Sequence, residues 1–221
     1  MIKIKNLTKV FKTQGETITA LNAVDLHIKK AEFVAIMGRS GSGKSTLLNI
    51  LGCMDKSTSG EYLLADQDVS KLNDDELSKI RNDRIGFVFQ GFHLLPRLSA
   101  LENVMLPLRY TDTHLTDAGR IRAEKLLVKV GLHDRINHMP NQMSGGQIQR
   151  VAIARSLIND PDILLADEPT GNLDSSISEQ IMDLLIELNK SGQTIVMVTH
   201  EDDIAEHANR TIHFLDGAII K

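Results

Sequence analysis

The sequence predicts an α/β fold carrying a small antiparallel β subdomain and an inserted α-helical subdomain. Three observations carry that prediction. First, the glycine-rich loop Gly38-Arg39-Ser40-Gly41-Ser42-Gly43-Lys44-Ser45 lies between the apolar run Phe33-Val34-Ala35-Ile36-Met37 and the helical stretch Thr46-Leu47-Leu48-Asn49-Ile50-Leu51. This is a strand–loop–helix unit. Second, residues 2–7 and 24–29 alternate apolar and polar side chains, as half-buried strands do. Third, the apolar strand Ile163-Leu164-Leu165-Ala166-Asp167 comes far beyond the ~30 residues that a βαβ unit takes. Something extra therefore fills the chain from Gly91 to Asp162.

These boundaries give one domain over residues 1–221. Residues 1–30 form most of the antiparallel β part, 31–90 and 159–221 the core, and 91–158 the helical subdomain. The polar stretch Lys12-Thr13-Gln14-Gly15-Glu16 predicts a hairpin tip. After the first core helix come Tyr62-Leu63-Leu64 and a loop, then a helix capped by Asn73 with Glu76 reaching back. Ile85-Gly86-Phe87-Val88-Phe89 is a buried strand ending at Gln90. In the insertion, a helix starting near Leu98 is stopped at Pro107. Another is capped by Thr116 and ended by Gly131. A third runs from Ser144 to about residue 158. Ser176 to Leu188 is a helix, Thr194 to Thr199 a buried strand ending at His200, and Asp216-Gly217 a hairpin turn.

Composition narrows the class. The chain has 221 residues, 42% hydrophobic and 24% charged, which suits a globular domain. Its net charge of −4 gives no footprint for nucleic acid. No apolar run approaches the ~20 residues of a membrane span, so no direct membrane insertion is expected. The first residues, Met1-Ile2-Lys3-Ile4-Lys5, show no apolar signal region. The lone Cys53 lies in an apolar stretch and predicts a small buried side chain in a reducing compartment. His27, His93, His114, His133, His138, His207 and His213 are scattered and predict no metal site.

The loop at Gly38–Ser45 fits the phosphate-binding pattern G-x-x-x-x-G-K-[ST]. Glycines let successive N–H groups turn inward as an anion nest, and the following helix, beginning at Thr46, adds its amide dipoles. Lys44 reaches the β- and γ-phosphates and Ser45 offers a hydroxyl to Mg2+. Asp167 ends the strand that should complete the metal site, and the apolar lead-in Leu164-Leu165, which buries that strand, supports this reading. Glu168 follows one step further out, where a carboxylate accepts a hydrogen bond from an attacking water. A second anion element opens the third insertion helix, Ser144-Gly145-Gly146-Gln147. Ser144 suits an N-cap, and glycines in a first turn make sense where a ligand approaches the backbone. Phe11 is either a base-stacking ring or a core residue.

Together with Asn172-Leu173-Asp174 and His200, these motifs stand in the order that resembles an ABC-type ATPase, and the resemblance covers essentially the whole chain. Pro169-Thr170-Gly171-Asn172-Leu173-Asp174-Ser175 and Leu47-Leu48-Asn49-Ile50-Leu51-Gly52 are similar to the MacB/LolD/FtsE group. The resemblance implies a P-loop NTPase (RecA-like) core, ATP and Mg2+ as ligands, and a head-to-tail homodimer in the ATP-bound state. One subunit's loop would face the partner's Ser144–Gln147 segment across ATP. It further implies Glu168 polarising water, His200 at the γ-phosphate, Gln90 sensing metal and water, Asp174 at the dimer interface and Phe11 on adenine. Integral membrane permease subunits are the implied partners, at the inner face of the plasma membrane on the cytoplasmic side. Their implied work is lipoprotein release, macrolide or peptide export, or signalling. The alternative is an ABC ATPase acting on a cytoplasmic complex or nucleic acid. His93, Leu94, Leu95 and Pro96 either line a permease groove or pack within the subdomain. Met143 replaces the family's usual leucine, Phe11 its usual tyrosine, and Ile148 a usual polar residue.

Overall fold

The computed structural model describes residues 1–13, 15–111 and 116–220. Gln14 of the expected hairpin tip and His114 lie outside the described residues. In chain order the elements are β1 (Ile2–Thr13), β2 (Glu16–Ile28), β3 (Phe33–Gly38), α1 (Lys44–Leu51), β4 (Ser59–Leu64), β5 (Gln67–Asp68), α2 (Asp74–Arg84) and β6 (Ile85–Phe89). There follow α3 (Ala100–Met105), α4 (Asp117–Lys129), α5 (Gly145–Ser156), β7 (Ile163–Asp167), α6 (Ser175–Lys190), β8 (Thr194–Val198), α7 (Asp202–Ala205), β9 (Arg210–Leu215) and β10 (Ala218–Ile220). The chain divides into two compact units, one of residues Met1–Arg81 and Asn189–Lys221, the other of Asn82–Leu188.

In the first unit, β3 is apolar throughout because both of its faces are buried. It pairs in parallel with β8 and with β9. Phe33, Val34, Ala35 and Ile36 are buried, as are Ile195–Val198 of β8. β10 turns back on β9 in antiparallel register, Leu215 opposite Ala218. Asp216 (φ 47°) and Gly217 (φ 79°) supply the paired positive dihedrals that this tight turn needs. β1 and β2 form the expected hairpin, with Ile2 opposite Ile28 and Thr13 opposite Glu16. Ile2, Ile4 and Leu7 are buried while Lys3 and Lys5 face solvent. The antiparallel sheet extends past residue 30. Its strand order is β2-β1-β4-β5, so the segment expected as Tyr62–Leu64 plus a loop contributes two more strands. Asn73 caps α2 reciprocally, as the spacing predicts: Asn73 N–H donates to Glu76 at 2.8 Å, and Glu76 N–H donates to Asn73 Oδ1 at 2.9 Å.

The second unit holds the parallel pair β6–β7, in register from Ile85 opposite Ile163 to Phe89 opposite Asp167. Val151–Ala154 of α5, Ile163–Ala166 of β7 and Ile181, Met182, Leu184 and Leu185 of α6 form its apolar interior. α4 is capped by Thr116, whose hydroxyl accepts Gly119 N–H at 3.2 Å, and is followed by Gly131 at positive φ, as expected. As expected, Pro107 ends the α-helix: α3 stops at Met105. The proline sits at the start of a 3-10 turn, Leu106–Tyr110, where a missing N–H costs nothing because that donor has no partner within the turn. The cap of α3 was not foreseen: Ser99 and Glu102 close a full capping box there.

Candidate functional site

In the first unit, the glycine-rich loop leaves the carboxyl end of β3 and enters α1. This is the edge of a parallel sheet where open α/β folds bind ligands. His200 lies beyond the carboxyl end of the neighbouring strand β8 and is exposed. Gly43 precedes α1 with φ 106°, and a Cβ there would stand 2.4 Å from the Ala20 carbonyl oxygen. Only glycine fits that bend. No side chain caps α1 and its first turn carries no acid, so the helix start is left to an anionic ligand. Lys44 is 8% exposed and folds back on the loop, its Nζ donating to the Gly38 and Arg39 carbonyls at 2.7 and 2.9 Å. The buried Ser42 hydroxyl has no hydrogen-bond partner. An orphaned hydroxyl beside an uncapped helix start and a folded-back ammonium fits a phosphate chain. Arg39, Ser40, Gly41 and Ser45 are exposed on the same segment and Thr46 is half-buried.

Phe11 is not a core residue: it is 40% exposed on β1. The Lys9 ammonium stands 4.9 Å from its ring centroid.

In the second unit, Gln90 follows β6 and Asp167 ends the adjacent β7, so both leave the same end of a parallel pair. Asp167 and Glu168 are half-buried. Glu168 adopts φ 45°, a left-handed conformation that is uncommon for a non-glycine residue and often marks functional positions. Its carboxylate and the Gln90 amide converge over Gly171: a Cβ on that glycine would lie 3.3 Å from Glu168 Oε2 and 2.7 Å from Gln90 Nε2. The Gln90 carbonyl accepts Asn172 Nδ2 at 2.9 Å. Among the described residues no group of three or more His, Cys, Asp or Glu is placed to hold a metal. Ser45 and Asp167 are hard oxygen donors of the kind Mg2+ takes alongside phosphate and water.

Ser144 caps α5. Its hydroxyl accepts Gln147 N–H at 3.4 Å and its own N–H donates to Gln147 Oε1 at 3.0 Å. Gln147 therefore closes a capping box, the structural task that the spacing Ser144-x-x-Gln147 permits. The glycines also have an internal reason. A Cβ on Gly146 would stand 2.4 Å from Ile177 Cγ2, and one on Gly145 would stand 3.2 Å from Leu173. Ser144, Gly146 and Gln147 rim a depression of about 450 Å³ that Arg150, Ile177 and Gln180 also line. Asp174 is exposed, and its Oδ1 accepts Ile177 N–H at 3.1 Å at the start of α6.

One residue escaped the sequence reading. Arg155 of α5 donates to the carbonyls of His93 at 2.6 Å and Phe92 at 2.9 Å. Both residues are left-handed, at φ 48° and 59°, so a single guanidinium fixes the bend after Gln90. Burial pulls that guanidinium below its usual pKa. Only its position two turns beyond Gln147 in an otherwise apolar run hinted at a task. Leu95 is 46% exposed and His93 and Pro96 are exposed, while Leu94 is half-buried. Ile148 is half-buried, and nothing in the structure explains the apolar side chain there.

A phosphate-cradling loop on a parallel sheet, with an acid-ended strand in the other unit, defines the P-loop ATPase class. Residues 21–171 match the ABC transporter family, and the chain belongs to it. It is 52% identical over 220 residues to YknY of Bacillus subtilis, an uncharacterized ABC transporter ATP-binding protein, covering all of this chain and 95% of that one. It is 48% identical to the macrolide export ATP-binding/permease protein MacB of Wolinella succinogenes over 99% of this chain. There it spans 34% of the relative's length. The dimeric, post-hydrolysis structure of the ATP-binding cassette MJ0796 of Methanocaldococcus jannaschii, bound to ADP and Pi, superposes with a TM-score of 0.91 at 52% identity. That match covers all of this chain and 97% of the other. As a member of this family the chain is an ATP-binding, ATP-hydrolysing cassette.

Proposed function

We propose that two copies of this chain close head to tail around two ATP molecules and drive a partner membrane permease. The observation that carries this is the uncapped phosphate loop before α1, together with an open depression rimmed by Ser144, Gly146 and Gln147 at the start of α5. One nucleotide held from both sides by two subunits uses both. The dimeric MJ0796 cassette supports the arrangement, and the MacB relative, which joins such a cassette to a permease, supports the partner. No helix among the described residues is long and apolar enough to cross a membrane. As the ATP-binding partner of a permease, the chain would sit at the cytoplasmic face, against it.

In this reading Gly38–Thr46 wrap the phosphates. Lys44 exchanges its two loop carbonyls for phosphate oxygens, and the Ser42 hydroxyl gains the acceptor it lacks. Ser45 and Asp167 would hold Mg2+, with Gln90 sensing the ion and the water; the ion would offset the phosphate charge. Glu168 accepts a hydrogen bond from the attacking water and orients it, with Gln90 beside it over Gly171. His200 meets the γ-phosphate, and Phe11 stacks on adenine. From the partner subunit come the α5 start and the segment around Asp174. Moving a dimer from mostly open to mostly closed takes about 5.5 kcal/mol of differential binding. Two nucleotides, each gripped twice, are a sufficient source. The work delivered is lipoprotein release, export of a macrolide or peptide, or signalling.

Tagged protein purified from detergent-solubilised membranes tests the partner. The expected result is an enriched integral membrane protein. Recovery of a cytoplasmic complex or nucleic acid in its place contradicts the proposal.

A further inference from the structure

Lys9 has an unusual position for a surface-strand lysine. Its side chain is only 12% exposed. Its ammonium donates to Asp55 Oδ1 at 2.6 Å and to the Lys56 carbonyl at 2.7 Å. Asp55 is itself held in place, because the same Oδ1 accepts Lys56 N–H at 2.7 Å. Two of the three ammonium donors are thus used on the segment that follows α1, and the ammonium stands over the Phe11 ring, 4.9 Å from its centroid. All of these residues belong to the first unit.

An ammonium is costly to cover, so the arrangement needs a reason beyond strand pairing. The physical consequence is plain. A cation on one face of an aromatic ring is attracted by the ring's quadrupole and fixes the ring plane. It also occupies that face, leaving the opposite one for a ligand, and draws electron density away from the ring. An electron-rich purine stacks better on a ring so depleted. The tie through Asp55 and Lys56 anchors this stack to the end of the helix that begins at the phosphate loop.

We infer that Lys9 is a positioning residue for the nucleotide base: held by Asp55 and Lys56, it orients and polarises Phe11 so that the ring's other face receives adenine. This rests on the proposed stacking role of Phe11. It predicts an effect confined to ligands that carry a base, which damage to the phosphate loop or to the strand would not produce.

The test compares MgATP with Mg-tripolyphosphate, which lacks the base, by calorimetry on the purified protein. Phe11→Ala is expected to weaken ATP about ten-fold. Lys9→Met, which keeps the apolar stem, is expected to weaken ATP about three-fold, and Lys9→Arg to restore most of it. Tripolyphosphate affinity stays unchanged in all three, and Lys9→Met adds nothing in the Phe11→Ala background. Equal losses for both probes, or unaltered ATP affinity in Lys9→Met where Phe11→Ala weakens it, overturn the role of Lys9 alone. Unaltered ATP affinity in Phe11→Ala overturns the stacking reading itself. If Lys9→Met does not fold, Asp55→Ala, which removes the acceptor that anchors the ammonium and keeps the ammonium itself, is measured with the same probes. It is expected to show the same base-selective loss, and an equal loss for both probes refutes the inference.

Discussion

Gly146→Ala separates two reasons for a glycine at the start of α5. The added methyl would lie 2.4 Å from Ile177 Cγ2, well inside van der Waals contact, and Gly146 is buried. Ile177 is β-branched, so a small rotation about χ1 does not clear the clash. Overpacking of this kind costs about 1–3 kcal/mol. For a domain of this size that is a fall in melting temperature of roughly 5 °C. Ile177→Ala removes the clashing methyl; the next Ile177 atom that does not go with it, Cβ, lies 3.7 Å from the added group. The double variant should therefore recover most of what Gly146→Ala loses beyond the cost of Ile177→Ala alone. Thermal unfolding without nucleotide reads this directly, and ATP turnover is followed in parallel. If Gly146→Ala melts like the parent while its turnover falls, the glycine serves only ligand approach and the packing argument is wrong. If the pair is additive, Ile177 is not what the methyl meets.

Lys44→Ala removes the ammonium that now bridges the Gly38 and Arg39 carbonyls, and should weaken MgATP by at least ten-fold in calorimetry while the fold is retained by circular dichroism. Unchanged affinity would count against the loop as the phosphate cradle. Burial pushes the Cys53 thiol up to about 11 from 9.0. At pH 8 the native protein should therefore resist iodoacetamide and react only once denatured. The unfolded thiol ionises first, so this group's contribution to stability is intact below pH 9.0 and is lost as pH rises toward about 11. A Cys53→Ala variant should lose that part of the alkaline slope in denaturant titrations.

Much of this was legible because the physics is local. The phosphate loop, the reciprocal Asn73–Glu76 cap and the Asp216-Gly217 turn each follow from a few adjacent residues whose geometry admits little else. So does the run of buried residues in β3, which a strand with both faces buried requires. What was not legible depends on residues far apart in sequence. Tyr62–Leu64 reads as a short apolar run until β1 is seen to pair with it. Gly146 reads as a ligand contact until Ile177 is placed against it. Arg155 reads as an ordinary helix cation until the carbonyls of Phe92 and His93 are found to converge on it. Lys9 likewise gains its meaning only from Asp55, which lies 46 residues on.

The central claim is that one chain carries half of each site and a second copy completes it. Glu168→Gln tests it most directly, because the change removes the water-orienting charge and keeps the shape. Turnover should fall by about 10²–10⁴-fold while ATP binding is retained. In size-exclusion chromatography with light scattering, this variant should run as a dimer with MgATP and as a monomer with MgADP. A variant that binds ATP, does not hydrolyse it and remains monomeric would contradict the account.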